Sequence, residues 1–251
     1  MYEEIYSKDS PDGKLKVLVK GPVLTRSGYG EHARFMIRAL KQIKNMDLYV
    51  LPTGWGATGW VMDNDEEKVW LDKCIQKTQI ALSNKMPFDV SFQVSIPNEW
   101  QKNALLNIGV TAGIETTKVS PEWIEKSNEM DGIIVPSQHS KDVFETTKYE
   151  ALILEDPNDP NSNIVDKKVF TTETPIKVIG YPVKKYDDID LDLNLDTKFN
   201  FLNVAQWGPR KNMVNCVQWF IEEFHDEEDV GLILKTNIAK NCLLDRRATE
   251  Q

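Results

Sequence analysis

Residues 15–40, LKVLVKGPVLTRSGYGEHARFMIRAL, decide the fold class. Residues 15–20 are a short apolar run that closes on Gly21-Pro22. Beyond the loop, Tyr29, Ala33, Met36, Ile37 and Leu40 fall at i, i+4, i+7, i+8 and i+11, one face of a helix. A strand that enters a glycine-bearing loop and leaves as an amphipathic helix is the start of a β-α-β unit. The alternation continues outward. Residues 47–51 (DLYVL) read as a second strand and residues 66–82 as a helix with Val69, Cys74, Ile75 and Thr78 on its apolar side. Residues 88–94 and 108–112 are further strands. Ser120 is an N-cap with Pro121 at the first helical position, and Ser137 caps a helix that follows the strand 132–135. Residues 177–180 end this half. The pattern predicts an α/β, Rossmann-like, doubly wound and mostly parallel sheet covered on both faces.

Residues 151–176 hold a PNDPNSN turn between β-prone arms, which reads as an inserted hairpin in a first domain spanning 1–183. Residues 184–198, KKYDDIDLDLNLDTK, are polar and acidic and read as a linker. A new β-α-β pattern follows it: 199–205, a helix from about Met213 to Phe224, then 230–235. A doubly wound domain needs about five strands and roughly 100–150 residues. Residues 199–251 are therefore expected to be the truncated beginning of a second domain, which should self-associate through its exposed edge.

The formal net charge of −9 and pI near 5.0 exclude a basic nucleic-acid surface. Cys74, Cys216 and Cys242 stand apart, without the spacing of a zinc site or a disulfide framework, which fits buried reduced thiols in the cytoplasm. The acidic start, MYEEIYSKDSPDGK, is no signal peptide, and no apolar run approaches the ~20 residues that span a bilayer. P-loop, nucleophile-elbow and HExxH patterns are missing from the sequence.

Four loops could carry chemistry. Gly28-x-Gly30-x-x-Ala33 has the GxGxxA spacing at a helix N-terminus, where backbone amides attract anions. Seven positions separate Gly21 from Gly28, too long for a dinucleotide turn, and the end of the second strand lacks an acid for a ribose diol. The loop either faces a ligand, with Gly28, Tyr29, Gly30 and His32, or merely permits a turn. Residues 53–60, TGWGATGW, could floor a sugar with Trp55 or pack structurally. Glu115 lies just beyond a strand end, and the Ser137 hydroxyl is either a cap or a substrate contact. In QWGPRKN (206–212), Arg210 and Lys211 combine a bidentate fork with a point charge, suited to a diphosphate or simply exposed on the surface.

Together SGYGEHARFMIRAL (27–40), IETTKVSPEWIEKSNEMDGIIVPSQHSKDVF (114–144), VIGYPV (178–183) and FLNVAQWGPRKNMVNCVQWF (201–220) resemble the GT-B glycosyltransferases, in particular the retaining GT4-like group (glycosyl transferase group 1). The resemblance implies transfer of a sugar from a nucleotide-sugar donor to a glycan, lipid or small-molecule acceptor, with no metal and no further cofactor. It implies that Gly28 and Gly30 lie against donor phosphates and acceptor. It also implies that Arg210 and Lys211 stabilise the departing diphosphate, fixed cations doing what a metal does elsewhere. Ile114 stands where the family often has a histidine. The donor domain's glutamate-rich motif would lie beyond Gln251, so turnover by this polypeptide alone is not expected. The alternatives are a non-catalytic glycan- or protein-binding module and another nucleotide-dependent α/β enzyme; the missing ribose acid weighs against the latter.

Overall fold

The computed structural model describes residues 13–61, 65–156, 158–159, 161–183, 185, 187–238 and 243–249. They form two compact units, Met1–Trp55 with Met62–Pro182, and Gly56–Val61 with Val183–Gln251. The TGWGATGW loop is thus divided between the units after Trp55.

The first unit runs β1 (Leu15–Gly21), α1 (Gly28–Lys41), β2 (Met46–Pro52), α2 (Glu66–Ser83), β3 (Val90–Val94) and β4 (Leu106–Val110). It continues with α3 (Pro121–Asn128), β5 (Gly132–Val135), α4 (Gln138–Thr146), the hairpin β6 (Lys148–Leu154) and β7 (Ile164–Thr171), and β8 (Ile176–Val178). Six of the strands form one parallel sheet in the order β2-β1-β3-β4-β5-β8. This is the predicted doubly wound, Rossmann-like α/β architecture. The expected hairpin is the separate antiparallel pair β6–β7.

Local chemistry explains the helices. Ser120 Oγ accepts from the Trp123 N–H and Ser137 Oγ from the Ser140 N–H, so both expected caps form. Asp65 caps α2 in the same way on Lys68. Ala33, Ile37 and Leu40 of α1 are buried against Val17, Val19, Leu48, Val50 and Val94 of the sheet. Each such aliphatic side chain contributes about 1.5–3 kcal/mol on burial. Glu31 and Glu67 both bind Arg38, tying α1 to α2, and Val50 of the edge strand β2 donates its N–H to Thr78 Oγ1.

One expectation needs correcting. Val69 is 44% exposed; the buried side of α2 is Leu71, Cys74, Thr78 and Ala81. Cys74 and Thr78 of the expected side are buried, but Leu71, two positions on and on another side of the helix from Val69, completes the buried face with Ala81. No α-helix joins β3 to β4. A 3-10 turn at Pro97–Glu99 and an irregular stretch do so, held by buried amides. Gln93 Nε2 donates to the Gln101 carbonyl and Gln93 Oε1 accepts from the Gln101 N–H; Asn107 Oδ1 accepts from the amides of Asn103 and Ala104. This connection seats Trp100, which is fully buried, flat against Gly109 of β4.

Ile133 and Val135 of β5 pack under α3 and α4. On the opposite face Phe92, Leu106, Ile108 and Ile134 line an apolar groove of about 500 Å³. The second unit holds β9 (Phe199–Gln206), α5 (Met213–Phe224), β10 (Val230–Asn237) and α6 (Leu243–Thr249), with β9 and β10 parallel and in register. Phe201, Phe220 and Phe224 form an aromatic cluster, with Phe201 exposed. Leu202, Val204, Trp219 and Ile221 are exposed. Residues 187–196, within the segment read as a linker, are exposed and without regular structure.

Candidate functional site

In the sheet of the first unit, β1 connects through α1 to β2 on one side, and the chain then returns past β1 to β3 on the other. The two neighbouring connections leave in opposite directions, which opens a crevice beyond the carboxyl ends of β1 and β3. Open α/β sheets bind ligands at such a place.

The loop after β1 is closed by its own side chains. The Gly30 N–H donates to Ser27 Oγ at 2.9 Å, Ser27 and Thr25 hydroxyls lie 2.8 Å apart, and Thr25 Oγ1 donates to the Pro22 carbonyl at 2.9 Å. Arg34 braces the loop from α1, donating Nη1 to the carbonyls of Val23 (2.8 Å) and Thr25 (2.9 Å) while Nε holds Glu31. Burial pushes the Glu31 carboxyl up, but its bonds to Arg38 and Arg34 outweigh this and hold it below its ordinary range. The two glycines differ. A Cβ on Gly30 would overlap the Thr25 carbonyl oxygen and lie 2.7 Å from Thr25 Oγ1 and 2.9 Å from the Pro22 oxygen, whereas one on Gly28 meets nothing within 4 Å. Gly30 is required by the loop's own packing; Gly28 is not.

Tyr29 turns into the crevice. Its hydroxyl lies 3.0 Å from Thr111 Oγ1 and accepts the Ala112 N–H at 3.1 Å, at the carboxyl end of β4. Trp55, beyond β2, stacks on the Tyr29 ring with centroids 4.0 Å apart and planes 28° from parallel. One helical turn along α1, His32 meets the edge of Tyr181 at 4.9 Å. Tyr181 follows β8 and is 48% exposed. Burial raises its phenol pKa, and the neighbouring Tyr29 hydroxyl adds to that shift. His32 is 8% exposed with Nδ1 buried and unpartnered. Burial lowers its pKa to about 4, so the imidazole is neutral at physiological pH.

The structure therefore brings together Tyr29, His32 and Trp55, and adds Tyr181 and Thr111, which the sequence reading passed over. An aromatic residue directly after a strand's carboxyl end was the available signal for Tyr181. Ser137 is spent as a cap: its Oγ accepts from the Ser140 N–H and lies 2.9 Å from Ser140 Oγ, which in turn accepts the Ile114 N–H. Glu115 is exposed beside buried Ile114. In the second unit Arg210 and Lys211 occupy a 3-10 turn, Pro209–Lys211, between β9 and α5. Both are exposed, and Lys211 borders an apolar cavity of about 620 Å³ with Phe201, Cys216 and Trp219. That cavity carries Asn203, Asn212 and Lys211 among its apolar lining, and the groove on the sheet is apolar apart from Lys177. The Tyr29–Trp55 stack with His32 and Tyr181 stands at the carboxyl edge of the sheet, where open α/β sheets bind ligands, and is the candidate site.

Among the described residues no group of His, Cys, Asp and Glu could hold a metal ion, and no helix is long and apolar enough to cross a membrane. Comparisons with protein-family models, curated proteins and solved structures return no match to this chain.

Proposed function

We propose that this chain carries the acceptor side of a glycosyltransferase, binding a sugar in the first unit while a nucleotide-sugar donor supplies the transferred residue. The observation that carries the reading is the Tyr29–Trp55 stack at the carboxyl edge of the sheet, with a hydroxyl and a backbone N–H converging on Tyr29. A pyranose offers an apolar face to an aromatic ring and hydroxyls to nearby polar groups, which is what such a platform accommodates. The Arg210-Lys211 turn before α5 supports a diphosphate role for the second unit, since a fork and a point charge beside a helix start suit a leaving group of growing charge.

The test is a thermal-shift screen of nucleotide sugars and simple glycosides, because a ligand of the native state raises its stability. Arg210→Ala and Lys211→Ala are expected to abolish the shift from nucleotide sugars and spare that from glycosides. Trp55→Ala should do the reverse. No shift from any glycoside would remove the reading. A second reading, a non-catalytic glycan-binding module, is favoured by the platform itself. Burial lowers the His32 pKa and raises that of Tyr181, so both are neutral at physiological pH and supply recognition without a charge.

A further inference from the structure

We infer that the free edge of β9 is a self-association surface, at which two copies of this chain pair their β9 strands antiparallel about a two-fold axis. The edge lies in the second unit and does not rest on the sugar reading of the first. Among the described residues, six strand edges border the three sheets. An open edge offers unpaired N–H and C=O groups to any other strand, so proteins guard it with charge, bulges, shortness or a covering element. Five of the six edges here are guarded. The Val50 N–H of β2 is taken by Thr78 Oγ1 of α2. β8 has three residues with Lys177 in the middle, and β10 carries Lys235. In the hairpin, β6 carries Lys148 and Glu150, β7 carries Asp166, Lys167 and Lys168, and the ladder breaks register at Ile153–Leu154. β9 has none of these devices. Its eight residues, FNFLNVAQ, hold no charge, proline or glycine, and it pairs with β10 in unbroken register.

Beside this edge is open space. Phe201, Leu202, Asn203 and Val204, four consecutive residues, all border the cavity of about 620 Å³. Successive side chains of a strand point to opposite faces, so consecutive residues share a cavity only where it wraps round the strand's edge. Cys216, Trp219 and Phe220 of α5 form the other wall, and Trp219 is exposed. Phe199, Leu202 and Val204 are exposed as well. A near-continuous apolar strand in a parallel pair has the pattern of an interior strand, with a neighbour on each side. The backbone groups of an edge require that neighbour to be another extended strand. Charge selects a second copy. The chain carries a net −9, so two copies repel on approach, and β9 is an edge at which they meet with no charge opposed to its like. A two-fold axis perpendicular to the sheet turns the second strand antiparallel, so unpaired N–H and C=O groups meet their complements and apolar side chains lie beside apolar ones. The same patch serves on both copies, which closes the assembly at a dimer.

The experiment is sedimentation velocity on the purified 251-residue chain at rising concentration, with hydrogen exchange measured in the same samples. A monomer–dimer equilibrium is expected, in which β9 amides gain protection as concentration rises and those of β6 do not. Leu202→Lys and Val204→Lys place a charge on exposed side chains, so the melting temperature should stay near that of the parent. Each acts twice across the two-fold axis and should raise the dimer dissociation constant by about tenfold or more. Val169→Lys, on a similarly exposed valine of β7, should leave the dimer unchanged and controls for lost apolar surface. A chain that stays monomeric, or a dimer whose β9 amides exchange as in the monomer, overturns the inference. So does a dimer weakened as much by Val169→Lys as by Val204→Lys, which would mark unspecific apolar contact. Growth into species larger than a dimer removes the two-fold pairing. Should a lysine variant fail to fold, hydrogen exchange of the parent decides alone.

Discussion

Gly28→Ala and Gly30→Ala should have opposite effects on stability, although the sequence presents the two glycines as one motif. At Gly28, the first residue of α1, an added Cβ meets nothing within 4 Å. Alanine is favoured over glycine by up to ~1 kcal/mol inside a helix, and about half of that is reasonable at a first position. At Gly30 the same methyl would overlap the Thr25 carbonyl and crowd Thr25 Oγ1 and the Pro22 oxygen, atoms of a backbone turn that Arg34 pins in place. Overpacking of this kind costs about 1–3 kcal/mol, and only part is returned by helix propensity. With about 2–4 °C per kcal/mol for a protein of this size, Gly28→Ala should melt about 1–2 °C higher and Gly30→Ala several degrees lower. Circular-dichroism melts and urea titrations at neutral pH read both. Equal melting temperatures, or a Gly30→Ala protein as stable as the parent, would refute the claim that the loop folds tightly onto the helix start. If Gly28→Ala keeps its stability but loses glycoside binding, Gly28 faces the ligand.

Two further outcomes follow from buried groups. Gly109→Ala should destabilise by about 1–3 kcal/mol in urea unfolding, because its Cβ would lie 2.6 Å from the ring of fully buried Trp100, which has nowhere to move; a neutral result would mean that the connection before β4 is loose. His32 titrates near 4 when folded and near 6.5 when unfolded, so the unfolded chain binds the extra proton between those values and stability falls as pH drops through that window. Relative to His32→Gln, the parent should lose on the order of 3 kcal/mol from pH 7 to 4, and parallel pH profiles of the two proteins would contradict the burial of an unpartnered imidazole.

Much of the fold was legible because it depends on periodicity and on single residues with fixed preferences. The helical face of Ala33, Ile37 and Leu40 and the caps Ser120 and Ser137 could be read without knowing any partner, since both follow from the geometry of an isolated helix. The segment before β4 was not legible in this way. Its order comes from Gln93 and Asn107, buried amides whose partners lie on a loop that no local pattern specifies. Val69 misled for a related reason: α2 buries the side that β2 presents to it, and a wide apolar stripe does not say which edge wins.

The same division holds at the site. The sequence by itself determined that glycines, aromatic residues and a histidine gather at strand ends, because α/β alternation sends every such loop to one edge of the sheet. It could not separate Gly28 from Gly30, cap from ligand at Ser137, or charged from neutral at His32. Those depend on distances across the fold. The Thr25 carbonyl comes to rest against Gly30, Ser140 claims the Ser137 hydroxyl, and Tyr181, almost 150 positions from His32, arrives against its ring. Tertiary packing alone brings those atoms together, and with them it decides that Gly30 is walled in by its own loop and that aromatic rings gather beside the start of α1.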